Sequence, residues 1–426
     1  MAKVYTYTQP LEADPLGAFC ALCGGFTDQF VYYSKERPFR YLGLGRCIAL
    51  DSLAGMEVEM QGPSALPPTL FSFKRFDEGN PSPSDELFET FPNLRFLLPE
   101  VVVVENEQGV FLQVNSLGPV YHARADRFGK RARAAAAPDP QAIPYRVEPD
   151  EWTEWNERAL AALDAIGAGR VSKVVPCRRL KLEAQRPFSS QDLLANLVAG
   201  PARGTVFLYG YGGVFFCGCT PELLVRKRGD QVESMCLAGT CGVGEDESQR
   251  DALAAQLLSD EKNLREHAFV VDFIRQVVER NCHQVHIPRT PSILSLADVQ
   301  HLQTSVSARA MEGCSIQNLA GQLHPTPALS GTPVGEALML LRQIEPFARG
   351  FFGGSVGVVN TEGDGEFSVA IRSGVFDGET GWLYAGCGIV EGSDPRSEYD
   401  EIDMKLKTIR SAFDGTPGTT ERLAHA

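Results

Sequence analysis

Four carboxylates and two lysines occupy positions where the surrounding sequence predicts burial, and they are the side chains best suited to chemistry. The first of them, Lys173, lies inside the apolar run 171–175, and strand alternation places it on the same face as Val171 and Val175. Such a lysine is either an edge residue whose ammonium group stays in solvent, or a desolvated lysine that can act as a base. The residue pattern alone favours the edge lysine.

Two of the glutamates lie in apolar surroundings. Glu222 is flanked by Cys219 and Leu223 between two apolar strands. There its carboxyl group could stay protonated and serve as a general acid, although exposed glutamates in turns are commoner. Glu266 begins an apolar helical stripe that continues to Val277, so its carboxylate points where the apolar face points and needs a partner or a metal ion.

The last predicted helix, at residues 395–413, carries Glu398, Glu401 and Lys405 on one face at spacings of three and four residues. Asp394 followed by a proline is a good helix start. An exposed ion pair between Glu401 and Lys405 would explain the spacing without any function, and it would contribute only about a few tenths of a kcal/mol.

A glycine-rich segment precedes this helix. Gly386 and Gly388 flank Cys387, and backbone without side chains can bring its N–H groups close to an anion. The segment lacks the spacing of the dinucleotide-binding fingerprint. It is therefore a candidate contact for a small anionic group.

Composition restricts the partners of the chain. Its 426 residues are 43% hydrophobic and 22% charged, which is typical of a globular protein and excludes disorder and collagen-like order. The net charge of −14 repels nucleic acid and anionic membrane surfaces, so we expect neither as a partner, and an anionic substrate must be bound by local positive charge. No apolar stretch reaches the roughly 18 residues of a membrane helix, and the first residues do not resemble a signal peptide, so we expect a cytoplasmic protein.

Neither the cysteines nor the histidines have the spacing of a metal site. The eleven cysteines include one CxxC motif, Cys20 with Cys23, which has no second pair to complete a zinc site. Unreactive thiols are a better interpretation of this pair than redox chemistry. The seven histidines form no HExxH or related signature, so a histidine-bound transition metal is not expected. The basic cluster at 124–133 is more typical of a solvated connector than of an anion site.

The elements that must position these side chains can be predicted from periodicity. Residues 1 to about 120 alternate short apolar runs with turn residues, which indicates strands and hairpins. Strands are predicted at 97–104, 171–182, 205–211, 214–219, 223–227, 231–237, 355–360, 367–373 and 381–386, and helices at 150–168 with Asp150 as N-cap, at 190–198, from 248 onward and at 395–413. Runs of neighbouring strands interrupted by helices favour the α+β class with antiparallel sheets.

Several of these segments together resemble the chorismate-utilising enzymes, a family that includes the isochorismate, salicylate, anthranilate and aminodeoxychorismate synthases. The matching motifs occur in the family's order: SKVV (172–175), CTPELL (219–224), LAGT (237–240), EH (266–267), HL (301–302), LHPTPALSGTP (323–333), AIRS (370–373), AGCGIV (385–390) and SDPRSEYDEIDMKL (393–406). The resemblance extends over residues 150–411 and is weak in residues 1–149.

The resemblance implies a fold and a division of the chain. The implied fold is like that of anthranilate synthase component I: a single α+β body in which two antiparallel sheets pack face to face with helices outside. Residues 1–149 would form a divergent, β-rich N-terminal part of that body, residues 150–411 the chorismate-binding catalytic region, and residues 412–426 a flexible tail.

The resemblance also implies a Mg²⁺ site and a substrate site. Glu266 and Glu401 match the family's metal ligands, which join Mg²⁺ to the ring carboxylate of chorismate. Two carboxylates completed by substrate and water suit this hydrated cation. The residues that match substrate contacts are Thr240, His301, Ala328, Arg372, Gly386, Gly388 and Lys405. They would supply the local positive charge that the whole chain lacks.

Lys173 and Glu222 indicate the reaction that the resemblance implies. Members that add water carry a lysine at the position of Lys173, whereas ammonia-using relatives carry glutamine there and usually need a glutaminase subunit. Lys173 would deprotonate water for attack at C2 while Glu222 protonates the departing C4 hydroxyl, which yields isochorismate. We therefore expect an isochorismate synthase that needs no glutaminase partner and acts as a monomer.

Four other positions bear on the choice among family members. Ala238 stands where aminodeoxychorismate synthases often have a nucleophilic lysine, and Ala328 stands where salicylate synthases tend to have threonine. Phe352 replaces a tyrosine common in the salicylate type, and Asn263 replaces an acid common in relatives near the metal. The first three favour isochorismate as the product, and the fourth changes the surroundings of the predicted metal.

Two alternatives remain open from the sequence. A salicylate synthase would share the lysine and the glutamates but would go on to eliminate pyruvate, and a chorismate-binding protein could retain the pocket without turnover. Intact Lys173, Glu222, Glu266 and Glu401 disfavour the silent protein. The product would feed menaquinone or catechol siderophore biosynthesis, and the length and the divergent N-terminal third favour menaquinone.

Overall fold

The computed structural model describes residues 2–51, 56–64, 66–80, 86–92, 96–120, 122–133, 135–148 and 152–415, in which strands and helices alternate irregularly. The strands, in chain order, are β1 Ala2–Pro10, β2 Asp28–Ser34, β3 Arg40–Leu44, β4 Ile48–Leu50, β5 Met56–Gln61, β6 Thr69–Lys74, β7 Phe96–Leu98, β8 Val101–Asn106, β9 Gly109–Ser116, β10 Tyr145–Val147, β11 Lys173–Val174, β12 Cys177–Ala184, β13 Thr205–Tyr211, β14 Val214–Thr220, β15 Leu223–Arg228, β16 Gln231–Gly242, β17 Cys282–His286, β18 Ser292–Ser295, β19 Val299–Ala310, β20 Gly331–Thr332, β21 Ser355–Asn360, β22 Gly365–Val369, β23 Ser373–Asp377, β24 Thr380–Gly386 and β25 Ile389–Val390. The helices are α1 Pro15–Cys23, α2 Glu86–Glu89, α3 His122–Ala132, α4 Trp152–Gly167, α5 Ser190–Ala199, α6 Glu247–Ser259, α7 Glu261–Asn281, α8 Ile316–Leu323, α9 Val334–Ile344 and α10 Pro395–Arg410, which a 3₁₀ turn at Ser411–Phe413 follows.

The larger of two extended sheets joins N-terminal strands to strands from the rest of the chain. Its order is β10-β12-β24-β23-β14-β13-β2-β3-β8-β9-β1-β5, so β2 lies directly beside β13. The hairpin of β23 and β24 lies between β12 and β14, which come much earlier in the chain. The described pairings of this sheet are antiparallel, except that β5 runs parallel to β1.

The second extended sheet has the same mixed origin. Its order is β17-β19-β16-β15-β22-β21-β6-β7-β4, and β18 also pairs with β19. The N-terminal strand β6 pairs with β21, where Phe71 lies opposite Val358. A separate three-stranded sheet has the order β20-β11-β25.

Aromatic side chains fill the space between the two extended sheets. Tyr209 on β13 lies 4.9 Å from Phe73 on β6, measured between ring centres. The hydroxyl of Tyr32 on β2 donates a hydrogen bond of 3.0 Å to the carboxylate of Glu366 on β22. One apolar core therefore connects both sheets, and the predicted α+β fold with two antiparallel sheets packed face to face is confirmed.

Two helices carry the predicted metal ligands. The apolar stripe predicted for α7 is buried, with Val270 and Val277 among its residues, and the helix packs on β16. Helix α10 packs on β24 and begins, as predicted, at Pro395, directly after Asp394, whose carboxylate accepts the N–H of Ser397 at 2.9 Å. Among the residues that the structure describes, no helix is long and apolar enough to cross a membrane.

Three of the predicted strands are each divided in two. Pro99 separates β7 from β8, and Pro176 separates β11 from β12. Proline cannot donate a ladder hydrogen bond, which explains both breaks. The third, predicted at 367–373, ends at Val369 as β22, and its last residue begins β23. Arg372, whose φ is 52°, lies in the connection between them.

The basic cluster at 124–133, expected to be a solvated connector, lies mostly in helix α3. Ala125 and Ala132 are buried on one face of the helix, while Arg127 and Lys130 are exposed on the other. The basic side chains are therefore largely solvated, but the segment is helical rather than irregular.

Two residues of the expected flexible tail, 412–426, are part of the core. Ala412 and Phe413 are buried, and the ring of Phe413 lies 4.9 Å from that of Tyr145. These two residues belong to the core because an aromatic side chain at this position packs against β10. Residues 416–426 and Asp150, the predicted N-cap of α4, lie outside the described residues.

Candidate active site

Lys173 lies in the central strand of the small sheet, where β11 pairs with both β20 and β25. Its side chain is completely buried, and its Nζ lies 3.0 Å from Oε1 of Glu266 on α7. Gly388 leaves room for this ion pair, because a Cβ atom there would lie 2.1 Å from that oxygen and 2.9 Å from Cε of Lys173. The edge-lysine alternative was wrong, since β11 has partners on both sides.

Glu266 is held as a carboxylate by its neighbours. Burial raises its pKa, but the ammonium groups of Lys173, Lys405 and Lys262 outweigh burial and hold the pKa below its ordinary value. The adjacent His267 is buried, and its Nδ1 lies 3.2 Å from a backbone oxygen of β16. This contact anchors α7, so the Glu266 carboxylate has a fixed place beside Lys173.

Glu222 lies in the short connection between β14 and β15 and is 4% exposed. Its N–H donates to Oγ1 of Thr220 at 3.2 Å, and its carbonyl oxygen accepts from the N–H of Val369 at 3.0 Å. Burial raises the pKa of Glu222 to about 7, while Arg372 and Lys173 oppose the rise. The exposed-turn alternative was wrong, and near neutral pH this carboxyl group can carry a proton.

Arg372, His301 and Thr240 form a hydrogen-bonded row. Nη2 of Arg372 lies 3.1 Å from Nε2 of His301, and Nδ1 of His301 lies 3.0 Å from Oγ1 of Thr240. A guanidinium group can only donate, so we assign Nε2 as the acceptor and place the ring proton on Nδ1. Burial and the nearby Arg372 charge lower the pKa of His301 well below its ordinary value, as a neutral ring requires. The Thr240 hydroxyl hydrogen is then free to donate to a ligand.

The backbone of Arg372 has an uncommon conformation. Its φ of 52° lies in the left-handed region, which costs about 1 kcal/mol or more for a residue other than glycine. The side chain is buried, burial lowers its pKa to about 10, and its Nε has no hydrogen-bond partner among the described residues. A buried donor without a partner suits an anionic ligand such as a carboxylate.

Glu401 and Lys405 form an ion pair of 2.7 Å on α10, and their side chains are only 19% and 12% exposed. Nζ of Lys405 also donates to the backbone oxygen of Gly386 at 2.9 Å. The surface-pair alternative was therefore wrong. Lys405 connects α10 to the glycine-rich segment and places positive charge beside it.

A further carboxylate lies on the same face of α10. Glu398 is buried and pairs with Lys262 of α7. Burial and the neighbouring Glu401 charge raise the pKa of Glu398, while Lys262 opposes the rise. Glu266 contributes to the same rise, so carboxylates from α7 and α10 meet at one edge of the site.

These elements surround one cavity, to which the structure brings all the predicted site residues. Nine of them line it: Glu222, Thr240, Glu266, His301, Ala328, Arg372, Gly386, Gly388 and Lys405. The other two, Lys173 and Glu401, lie directly behind the lining, since each is ion-paired with a residue that lines it.

One aromatic wall of this cavity was not predicted from the sequence. Tyr384 lines it, and its ring stacks on that of Phe352 with 5.5 Å between ring centres. Tyr384 precedes Gly386 by two residues on β24, and strand alternation places two such residues on one face. The glycine motif was therefore a signal that could have identified this tyrosine.

Asn263 has a positioning role at the start of α7. Its N–H and its Nδ2 each donate to Oδ1 of Asp260 at 2.8 Å, and its Oδ1 accepts the N–H of Thr240 at 3.3 Å. An amide can donate and accept in this way, whereas a carboxylate can only accept. Asn263 therefore ties Thr240 to the helix and adds no negative charge.

The carboxylates at the α7–α10 edge suit a hard, hydrated cation. Glu266 and Glu401 offer oxygen atoms, and within the described part of the chain no group of three or more His, Cys, Asp or Glu side chains could hold a metal ion alone. Two carboxylates leave positions for water and for a carboxylate of the substrate, which is the coordination that Mg²⁺ favours. The residues present therefore fit Mg²⁺.

The surroundings of the CxxC thiols disfavour the thiolate form. Cys20 and Cys23 lie on α1, both are free, and Sγ of Cys23 donates to the backbone oxygen of Cys20 at 3.2 Å. Burial raises the pKa of Cys20 to about 12 and also raises that of Cys23. A thiol with a raised pKa is a poor nucleophile at neutral pH.

Comparison with known proteins finds relatives that belong to one enzyme family. A family model for chorismate binding enzymes matches residues 49–414. Isochorismate synthase MenF of Bacillus subtilis strain 168 is 36% identical over 359 residues, which are 83% of this chain and 76% of that protein. A salicylate biosynthesis isochorismate synthase of Pseudomonas aeruginosa is 32% identical over 375 residues, which are 85% of this chain and 77% of that protein.

A solved structure extends the likeness to the fold. The structure of MenF, the menaquinone-specific isochorismate synthase from Escherichia coli, matches 96% of this chain and 94% of its own with a TM-score of 0.78 at 26% identity. The family match also includes every predicted site residue, from Lys173 to Lys405. By sequence and by fold, this chain belongs to the family of chorismate-binding enzymes.

Proposed function

We propose that this chain is an isochorismate synthase that isomerises chorismate to isochorismate with Mg²⁺. The observation that carries the proposal is a buried glutamic acid, Glu222, in the lining of a cavity that also includes Arg372 and Lys405, with a buried lysine, Lys173, directly behind that lining. Relatives named as isochorismate synthases, at 36% and 32% identity, support the same activity.

Two side chains of this chain can perform both proton transfers. Lys173 would accept a proton from water while the water oxygen forms a bond to C2 of the ring. The two ring double bonds each shift by one position, and the bond from C4 to its hydroxyl oxygen breaks. Glu222 donates its proton to that oxygen, which leaves as water. One water molecule enters and one leaves, so the reaction is an isomerisation.

Glu266 and Glu401 would hold the Mg²⁺. When bound, Mg²⁺ supplies positive charge that neutralises the ring carboxylate of the substrate. Glu266 suits this role because its lysine neighbours keep it ionised. Glu398 is paired with Lys262 and would support the site from behind.

The cavity offers donors for an anionic substrate inside a chain of negative net charge. Arg372 has a buried Nε without a partner in the described residues, and the Thr240 hydroxyl is left free to donate. Lys405 adds an ammonium group beside the bare backbone of Gly386. Charge-assisted hydrogen bonds of this kind would hold the two carboxylates of chorismate.

A salicylate synthase is the alternative product assignment. Salicylate formation shares the first step and then requires elimination of pyruvate from isochorismate. The cavity wall carries Ala328 and Phe352, and neither has a polar side-chain atom that could contact the enolpyruvyl group. We therefore favour isochorismate as the released product.

We further propose that the enzyme acts as a monomer in the cytoplasm and supplies menaquinone biosynthesis. Relatives named MenF support menaquinone over a siderophore. Lys173 in place of glutamine supports water as the nucleophile, so no glutaminase subunit is expected. All eleven cysteine thiols are free, as is typical of a reducing compartment.

Incubation of the purified chain with chorismate and Mg²⁺, followed by chromatography, tests the proposal. We expect isochorismate. Salicylate with pyruvate would contradict the product assignment, and absence of any product would favour a chorismate-binding protein without turnover. EDTA should stop the reaction and added Mg²⁺ should restore it. In a thermal shift measurement, Mg²⁺ with chorismate should stabilise the parent chain more than Glu401→Gln.

A further inference from the structure

A buried ion pair follows helix α9, outside the cavity. Glu345 is the C-cap residue of α9, Arg349 lies four residues later, and their side chains are 5% and 2% exposed. Nε of Arg349 lies 2.8 Å from Oε2 of Glu345, and its Nη2 lies 2.5 Å from Oε1. Neither residue lines the substrate cavity.

Both partners also bind the backbone of segments that carry site residues. Nη2 of Arg349 donates to the carbonyl oxygen of Val175 at 2.5 Å, and its Nη1 donates to that of Leu329 at 2.9 Å. The N–H of Cys177 donates to Oε1 of Glu345 at 2.8 Å. The ion pair therefore joins the end of β11 to the loop that precedes β20.

A proline explains why the backbone needs these partners. Strand β11 contains only Lys173–Val174, and Pro176 follows with no N–H to continue a ladder. The N–H of Val175 still donates to the carbonyl oxygen of Ser330 at 3.0 Å. The carbonyl of Val175 and the N–H of Cys177 are bound instead by the ion pair.

We propose that the Arg349–Glu345 pair is a positioning device that fixes Lys173 relative to Ala328 on the opposite segment of the site. The inference rests on the proposed isochorismate synthase activity. A guanidinium group binds two carbonyls and one carboxylate at once, which an ammonium group on a flexible stem cannot reproduce. A displacement of Lys173 by about 1 Å would lower the rate by roughly 10²-fold.

The ion pair also lines a second cavity. It has a volume of about 250 Å³, and its lining includes Arg75, Asp77 and Arg342 beside Glu345 and Arg349. It shares no lining residue with the substrate cavity. Loss of the Arg349 side chain would open a space beside this cavity that a guanidinium ion can enter.

Two variants of Arg349 test the positioning role. Arg349→Lys keeps the positive charge but not the planar guanidinium group with its several N–H donors. We therefore expect kcat to fall by about 10- to 100-fold while KM for chorismate changes less. Arg349→Ala should lose at least as much activity, and added guanidinium chloride at low concentration should restore part of it. Urea at the same concentration should not restore activity, because it carries no charge.

Arg342 provides the matched control. It forms two bonds of 2.7 and 2.8 Å with Asp77 at the same second cavity, and in the described residues it has no hydrogen bond to either segment that Arg349 joins. Arg342→Lys should therefore keep the kcat and KM of the parent chain. An equal loss in both lysine variants would show a general structural effect and would overturn the proposal.

Amide hydrogen exchange gives a readout that needs no turnover. Residues 171–177 and 326–332 should exchange faster in Arg349→Lys than in the parent or in Arg342→Lys. If the parent forms no isochorismate, the proposed function fails, and exchange alone decides the role of the pair. Unchanged exchange in both segments, or an undiminished kcat in Arg349→Lys, would refute the inference.

Discussion

The completely buried amine of Lys173 is the group that we expect to remove a proton from water. Lys173→Met keeps an apolar stem but has no amine, so turnover should fall by about 10²–10⁴-fold. Calorimetry should still detect chorismate binding, because Arg372 and Lys405 are unchanged. Lys181→Met, at a half-buried lysine paired with Glu148 outside the cavity, should turn over normally. Parental turnover in the Lys173 variant would refute its role as the base.

Glu222 gives the folded state an unusual proton affinity. Burial raises the pKa of Glu222 from 4.5 to about 7, while Arg372 opposes the rise. Between these values the folded state retains a proton that the unfolded state has lost. The free energy of unfolding therefore falls as pH rises from about 4.5 to about 7. At 1.36 kcal/mol per pKa unit, the loss is of the order of 3 kcal/mol.

Glu222→Gln should remove this part of the pH dependence, since glutamine is neutral at every pH. Urea unfolding at pH 5 and pH 8 measures this pH dependence. Between the two pH values, the free energy of unfolding of the parent should fall by about 2–3 kcal/mol more than that of the variant. Glu57→Gln, at an exposed position on β5, should behave like the parent. Equal losses in the parent and in Glu222→Gln would show that Glu222 titrates normally.

Single residues were harder to interpret from sequence than groups of residues. The local pattern favoured an exposed edge for Lys173, because it cannot report that β20 and β25 supply partners from distant segments. The motifs taken together identified eleven residues that the structure brings to one place. Arg349 was missed because, apart from the Glu345 carboxylate four residues earlier, its partners are backbone atoms of other segments, which leave no trace in the spacing of side chains.

At the scale of elements, the short strand β11 and the glycine-rich segment must approach each other closely. A Cβ atom on residue 388 would lie 2.1 Å from Oε1 of Glu266. The segment can therefore lie against the Lys173–Glu266 ion pair only if residue 388 is glycine. The close approach fixes β25 against β11 directly behind the substrate cavity. The identity of one small residue thus sets the distance between two strands.

Gly388→Ala should therefore displace Glu266 or Lys173. Because displacements of about 1 Å cost up to roughly 10²-fold, we expect kcat to fall at least tenfold. Steady-state kinetics and a thermal melt measure activity and stability together. Gly335→Ala is the control, because its Cβ would meet no atom within 4 Å. Since residue 335 is exposed on α9, alanine there should raise the free energy of unfolding by up to about 1 kcal/mol. Full activity in Gly388→Ala would contradict the close approach.

Element boundaries were predictable where periodicity is regular. The predicted strands at 205–211 and 355–360 have the same bounds as β13 and β21, because turn residues flank each apolar run. The breaks at Pro176 and Arg372 were missed, although a proline inside an apolar run is a known signal. The left-handed conformation of Arg372 has no sequence signal, since it depends on the site that the side chain serves.

At the scale of the whole molecule, the N-terminal part supplies strands inside both extended sheets. β2 pairs with β13, and β6 pairs with β21. We therefore predict that residues 150–426 expressed alone will not fold, because β13 and β21 each lose a neighbouring strand and Tyr209 loses its contact with Phe73. Size-exclusion chromatography and circular dichroism measure the outcome. A monodisperse fragment with a cooperative melt would show that 1–149 is dispensable, and co-expression of both parts should restore the fold.

The order of strands also determines when the chain can fold during synthesis. β12 ends at residue 184 and β14 at residue 220, yet the hairpin that fills the gap between them begins at residue 373. At about 5–20 residues per second, a ribosome needs roughly 10–40 s to make the intervening chain. During that time two apolar strand edges lack partners, which makes the nascent protein a substrate for chaperones that bind exposed strands. The sheet is complete only after β24 has been made, late in translation. A chain whose synthesis stops before residue 373 can therefore complete neither the fold nor the cavity.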